Sequence, residues 1–273
     1  MNKAVNFFNS QFKKVKNFRI TRKVFSYPYI LFMLLFVVIP LVMILANAFM
    51  AGGSFTFQNF ADFFSSPSGL LVLLESMLVG LFTVVICLAI GFPVAYFIAK
   101  YTKSGTLVLL FILPMWVNFL IRTLSTKALF DLMGIQLGLG TVIFGMVYNF
   151  LPFMILPIHT TLTNLDKHFA EAAGDLGASE MQVFLKVIVP LSLPGVVSGI
   201  TMVFIPTIST FAISSLLSNG MVFLFGDSIY TKFNQGLYGV GSVMSLIMFA
   251  FVLVSNMFMN KFNKAQTAGR QLW

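Results

Sequence analysis

Uncharged apolar runs follow one another along this chain, and each is long enough to cross a bilayer. The charged residues mark their limits. One run lies between Lys23 and Asp62, centred on residues 29–50, a second between Glu75 and Lys100, and a third between Lys103 and Arg122. A fourth, around residues 141–161, lies between Asp131 and Asp166. The fifth, from Lys186 to Asp227, is interrupted by Pro190, Pro194 and Pro206, and the sixth lies between Lys232 and Lys261. About 18 consecutive apolar residues mark a spanning segment. Hydrocarbon offers the backbone no hydrogen-bond partners, so such segments are helices. The expected fold class is therefore an all-α integral membrane protein with six transmembrane helices. Composition agrees, with 58% hydrophobic and 9% charged residues among 273, where a soluble domain carries about a quarter charged.

The net charge of +9 raises the question of nucleic acid, and its distribution answers it. With six spans both termini share a side, which holds Lys3, Lys13, Lys14, Lys16, Arg19, Arg22, Lys23, Lys100, Lys103, Lys167, Lys186, Lys261, Lys264 and Arg270. The other side holds Arg122, Lys127 and Lys232. Lysine and arginine accumulate in cytoplasmic segments, so both termini are expected on the cytoplasmic side of the membrane, with lipid and not nucleic acid as the partner. The expected organisation is a basic cytoplasmic segment at 1–26, then a first transmembrane helix and outer loop at 27–69. A transmembrane core at 70–260 carries a cytoplasmic loop at 162–190, and a cytoplasmic tail occupies 261–273. The first run is too long, and lacks the small-residue cleavage site, for a removed signal peptide. Phe8, Phe12 and Val15 recur at helical spacing among lysines, which fits a helix on an anionic leaflet or a basic tail without structure. The single cysteine, Cys87, excludes a disulfide framework and a cysteine-based metal site within one chain.

The loop between the fourth and fifth runs reads EAAGDLGASEMQVFLKVIVP at residues 171–190 and is unlike its surroundings. Thr163 and Asp166 have capping-box spacing, so a helix is expected to start there. Phe169, Ala172, Ala173 and Leu176 fall on one stripe, with Glu171 and Asp175 off it. Gly177 is expected to end the helix in the left-handed conformation. Ser179 and Gln182 form a second box, and Pro190 is expected to stop the helix that follows. Alanines in the middle of the stripe let the backbone approach a partner closely.

Glu171-Ala172-Ala173, then Gly177, then Val187-Ile188-Val189-Pro190 resembles the signature loop of ATP-binding-cassette (ABC) importer permeases. Two valines stand where that family has isoleucine and leucine. The segments LPMWVNFLIRTLS (113–125), 138–179 and PLSLPGVVSGITMVFIPTIS (190–209) are similar to the permeases of bacterial spermidine/putrescine importers. The resemblance implies a type I ABC importer permease fold whose coupling helix, carrying Phe169, Glu171, Ala172, Ala173, Leu176 and Gly177, docks in a separate ATPase subunit. It also implies a homodimeric ATPase, a second permease and an extracytoplasmic polyamine-binding protein as partners. Independently, the chain has no G-x-x-x-x-G-K-[ST] loop, and no Gly-Lys pair at all. ATP and Mg are therefore expected on the ATPase, with no cofactor and no enzymatic activity on this chain.

A polyamine wants carboxylates for its ammonium groups and aromatic faces or carbonyls along its length. Glu75, Asp131 and Asp227 stand at expected outer span ends, and Trp116 and Tyr148 within spans. Each also has an ordinary reading as an interfacial or packing residue. Pro206, Thr207, Ser209 and Thr210 form a hydroxyl-rich segment expected to break the fifth span and line a pathway. Arg122 would repel a polyamine and is expected to snorkel or to pair with Asp131. His159 and His168 lack the neighbours of a metal site. The same fold carrying thiamine, phosphate, sulfate or an iron chelate is the closest competing reading. An ion-coupled secondary transporter would call for an acid within a span, and an intramembrane hydrolase for a metal or serine motif; neither is present.

Overall fold

The computed structural model describes residues 26–101 and 105–270. The basic segment 1–25 and Lys103 lie outside the described residues. The chain divides into two units, Met1–Asn47 and Ala48–Trp273. The first contains most of α1, Ser26–Phe49, a helix apolar on every side. In the second, a hairpin pairs Met50 with Phe55 and Ala51 with Ser54, forming β1 (Met50–Ala51) and β2 (Ser54–Phe55). Its turn is Gly52-Gly53, both at positive φ, the geometry that a two-residue hairpin loop needs. The helices that follow are α2 (Gln58–Ser65), α3 (Pro67–Tyr101), α4 (Gly105–Trp116), α5 (Phe119–Leu132) and α6 (Leu139–Thr163). Then come α7 (His168–Asp175), α8 (Glu180–Ser209), α9 (Ala212–Leu217), α10 (Phe225–Asn234) and α11 (Tyr238–Arg270). The last continues through 261–270.

Among the described residues five helices are long and apolar enough to cross a membrane: α1, α3, α6, α8 and α11. The third expected span, 103–122, is divided. Pro114 has no N–H to continue the helical ladder, and α4 ends two residues later at Trp116. Asn118 leaves the helical region, with φ −52° and ψ 132°, and its side-chain oxygen accepts from the Leu120 N–H at 2.8 Å. An apolar run of suitable length thus becomes two short helices because an N-cap residue sits within it.

Pro190 does not stop the helix after Ser179. A π turn at Phe184–Ile188, closed by the Val189 N–H donating to the Phe184 carbonyl, precedes it, and the helix runs on to Ser209. The wider turn makes room for a ring that would collide with the carbonyl four residues back. α1 uses the same device, with a π turn at Leu34–Val38 two residues before Pro40.

The interior of the second unit is built on α3, α6 and α8. Val84, Cys87 and Ala95 of α3 pack with Met154, Ile155 and Ile158 of α6 and Val196 and Val203 of α8. Without a hydrophobic force between helices in lipid, close backbone approach supplies the attraction, and small residues permit it. A Cβ on Gly195 would lie 2.7 Å from the Pro157 carbonyl oxygen, and one on Gly199 3.2 Å from that of Met154. Gly80 and Gly91 face Phe204 and Met154 in the same way. Gly195→Ala is therefore expected to cost about 1–3 kcal/mol by overpacking, read as a lower thermal midpoint of the purified protein. Gly140→Ala, which meets open space, should leave the midpoint unchanged.

Candidate functional site

Three helix ends meet around a cavity of about 570 Å³. Met115 and Trp116 bring the end of α4 to it, Asn118, Phe119 and Arg122 the first turn of α5, and Pro206, Ser209 and Thr210 the end of α8. Asn149, Phe150 and Phe153 of α6 and Ile213 of α9 complete the wall. α8 ends because Thr210 turns extended at φ −72° and ψ 145°, and its N–H donates to the Pro206 carbonyl at 2.9 Å. Ser209 donates to the Ile205 carbonyl at 3.0 Å. The last turn of a helix leaves carbonyls without intrahelical donors and the first turn leaves N–H groups without acceptors. The cavity is accordingly negative at the α4 and α8 ends and positive at the start of α5.

Arg122 strengthens the positive side. It is 8% exposed, its guanidinium lies 5.7 Å from the Tyr148 ring centroid, and its Nε and Nη1 have no hydrogen-bond partner. It does not pair with Asp131: nine residues apart on one helix, the two point to opposite faces, and Asp131 is exposed. Asn149 is fully enclosed. Its Nδ2 donates to the Gly145 carbonyl at 2.8 Å and lies 3.5 Å from the Thr123 hydroxyl of α5, and its Oδ1 has no hydrogen-bond partner.

Of the sequence candidates, Trp116, Pro206, Ser209 and Thr210 come together here. Thr207 does not: it is buried on the opposite side of α8, and its hydroxyl donates to the Val203 carbonyl at 2.7 Å. Glu75 is exposed and lines no part of the cavity. Tyr148 does not line the cavity; its ring lies against the guanidinium of Arg122. Asp227 is 6% exposed and serves as a cap, its Oδ2 accepting from the Ser214 hydroxyl at 2.6 Å and the Leu224 N–H at 2.8 Å at the start of α10. Sequence reasoning missed Asn118 and Asn149. An Asn inside an apolar run is itself a signal, since burial obliges it to cap a helix or bond inward.

The loop at 162–190 has the expected form with a displaced start. Thr163 closes α6, donating to the His159 carbonyl at 3.0 Å, and Asp166 Oδ1 accepts from the His168 N–H to begin α7. The expected box at Thr163 fails because α6 still needs that residue for its last turn. Gly177 has φ +82°, with its N–H to the Gly174 carbonyl and that of Ala178 to the Ala173 carbonyl, a Schellman ending. Ser179 and Gln182 form the reciprocal box, at 3.0 and 3.4 Å. The apolar stripe is uncovered: Phe169 is 57% and Leu176 89% exposed. Glu171 is turned towards His168, 3.2 Å from its Nδ1. Beyond Glu180, Phe184 sets the π turn edge-on against Tyr96 and Phe92 of α3, with ring centroids 4.9 and 5.9 Å apart.

Burial raises the Asp227 carboxyl above its usual range, against the opposing effect of its two hydrogen bonds. The native protein therefore holds that proton more tightly than the unfolded chain, and the stability this contributes is lost as pH rises through the raised value. Asp227→Asn should lack this pH dependence, while Asp227→Ala, which removes the cap, should cost about 1–2 kcal/mol. Thermal midpoints across pH 4–8 measure both.

Residues 14–267 match the family described as binding-protein-dependent transport system inner membrane component. The spermidine/putrescine transport system permease protein PotB of Salmonella typhimurium (strain SL1344) is 36% identical over 227 residues, 74% of this chain and 79% of that protein. That of Escherichia coli (strain K12) is 34% identical over 227 residues, 74% of this chain and 82% of that protein. In fold, the chain is similar to a solved bacterial ABC transporter involved in the import of the acidic polysaccharide alginate. Its TM-score is 0.70 at 13% identity, covering 94% of this chain and 99% of the other.

Proposed function

Because this chain belongs to the family of binding-protein-dependent transport system inner membrane components, we propose that it is the permease subunit of an ATP-driven importer of polyamines. The observation that carries the solute is the likeness to spermidine/putrescine permeases over about three quarters of the chain. The cavity's chemistry is compatible with it. Helix C-terminal ends at α4 and α8 and the Trp116 face are acceptors for an ammonium group passing at span depth.

In this reading α7 is the coupling helix. Its uncovered Phe169 and Leu176, with Ala172 and Ala173 between them, seat in a cleft of a homodimeric ATPase that binds ATP and Mg, while Glu171 and Gly177 set the helix's charge and end. A second permease completes the pathway, and an external binding protein delivers the polyamine. The charge bias is what supports a cytoplasmic position for both termini and the 162–190 loop. Phe184, packed on Tyr96 and Phe92 beside the π turn, then joins the loop to α3.

Arg122 supports a second reading, the same permease carrying an anion such as phosphate or sulfate. An ammonium about 5 Å from a guanidinium is repelled by ~3 kcal/mol at an effective dielectric of 20. The test is reconstitution of the assembled importer in proteoliposomes. Binding protein loaded with spermidine or putrescine should raise ATP hydrolysis several-fold; stimulation by phosphate or sulfate instead would move the assignment to the anion.

The coupling role has its own measurement. Gly177→Asp forces a side chain into a backbone region that costs about 1 kcal/mol or more, unwinding the end of α7. The variant should insert in the membrane yet fail to co-purify with the ATPase. Co-purification and uptake at wild-type levels would refute docking through α7.

A further inference from the structure

A guanidinium nine-tenths buried, with two N–H-bearing nitrogens unpaired, is an incomplete arrangement. Burying a charge without a partner is costly, so a counter-charge belongs beside it. The chain does not provide one. None of its eight acidic residues lines the cavity, and among the described residues Arg122 has no ion pair. Asp227 is held by Ser214 and Leu224, Asp62 by Gln58, and Glu180 lies against Lys100. The Tyr148 ring offers its face but no negative charge. The counter-charge must therefore come from outside the chain, and the cavity that Arg122 lines has room for it.

We propose that the cavity is a binding site for a small inorganic anion, chloride being the probe, held between Arg122 and the first turn of α5. The start of a 14-residue helix capped by Asn118 adds its positive end to that of the guanidinium. The site is one-sided. The end of α8 at Ser209 and Thr210 lines the same cavity and supplies its acceptors. An anion on the α5 side cancels the charge that would turn away an ammonium, and leaves the α8 side for the solute. This deepens the transport reading, since the same cavity then holds the solute and its counter-ion, but the binding site itself stands on the geometry alone.

The experiment uses the assembled importer, both permeases with the ATPase, in lipid nanodiscs. Radiolabelled chloride binding is measured at constant ionic strength, with gluconate replacing unlabelled chloride. Wild type should hold about one more chloride per copy of this chain than Arg122→Gln. Arg122→Lys, which keeps the charge and loses the planar fork, should bind about tenfold more weakly. Should Arg122→Gln fail to assemble, wild type alone decides. Its thermal midpoint should rise with chloride against gluconate and level off as the site fills, as ligand linkage requires. Equal chloride in wild type and Arg122→Gln, or a midpoint indifferent to chloride, overturns the site; a carboxylate supplied by the second permease would give that result. If polyamines fail to stimulate ATP hydrolysis while chloride binding still depends on Arg122, the solute assignment falls and the anion site remains.

Discussion

In hydrocarbon each backbone N–H and C=O must find its partner within the protein, and this condition decides where the chain can interrupt a helix. Prolines are points of stress, and at four of them the chain departs from the plain α-helix in one of two ways. Before Pro40 and Pro190 a π turn widens the helix and the segment continues. After Pro114 and Pro206 the helix ends within one turn, and the first non-helical N–H bonds back to the proline's own carbonyl: Val117 to Pro114 at 3.3 Å, Thr210 to Pro206 at 2.9 Å. Both terminations open on the same cavity. Backbone groups freed by the breaks face a space that can hold polar guests, so the penalty of an unpaired carbonyl in lipid is avoided.

The unbroken helices supply the rigid frame for this. α3, α6 and α8 meet through glycines whose added Cβ would strike backbone or side chain, and α6 carries Asn149 to the cavity wall between its partners. Hydroxyl groups along these helices donate to carbonyls in the turn before, as Thr207 does to Val203 and Ser198 to Pro194. Such bonds satisfy a buried hydroxyl without any second helix. They also explain why a hydroxyl-rich stretch is a poor guide to a pathway. Thr207 and Ser209 both bond inward, and only the turn of the helix decides that Ser209 reaches the cavity.

Much of this architecture was legible in the sequence because it depends on local patterns. Charge-free runs located the long helices, and the Gly177 ending and the Ser179–Gln182 box appeared as their spacing required. Local rules failed where two elements compete for one residue: Thr163 was needed by α6 before it could open α7. They failed again at Pro190, because a π turn upstream relieves a clash that the proline rule takes as fatal. The cavity was only half visible. Trp116, Pro206, Ser209 and Thr210 could be chosen as polar or aromatic residues near breaks. Nothing in the spacing of residues 118, 122 and 149 shows that α5 and α6 bring them to one place. Arg122 was misassigned for a simpler reason, since nine residues along a helix is half a turn out of phase.

The two candidate functional regions of the chain differ in how their free energy is arranged. At α7 the apolar stripe is exposed, its charges lie at the surface, and its end depends on one glycine in the left-handed region. Such an element gains from being covered, and its few contacts with the frame let it move with whatever covers it. Lys100 and Glu180 lie 4.0 Å apart with the carboxylate almost fully exposed, so that pair adds little; Phe184 between Phe92 and Tyr96 is the firmer join. At the cavity the arrangement is reversed, with polar groups enclosed and unpaired inside a tightly packed frame. If α7 is the docking surface proposed above, the ring contacts of Phe184 with Phe92 and Tyr96 at the start of α8 join its neighbourhood to the frame. In the proposed coupling, displacing α7 would shift the start of α8, whose other end brings Ser209 and Thr210 to the cavity that Arg122 also lines.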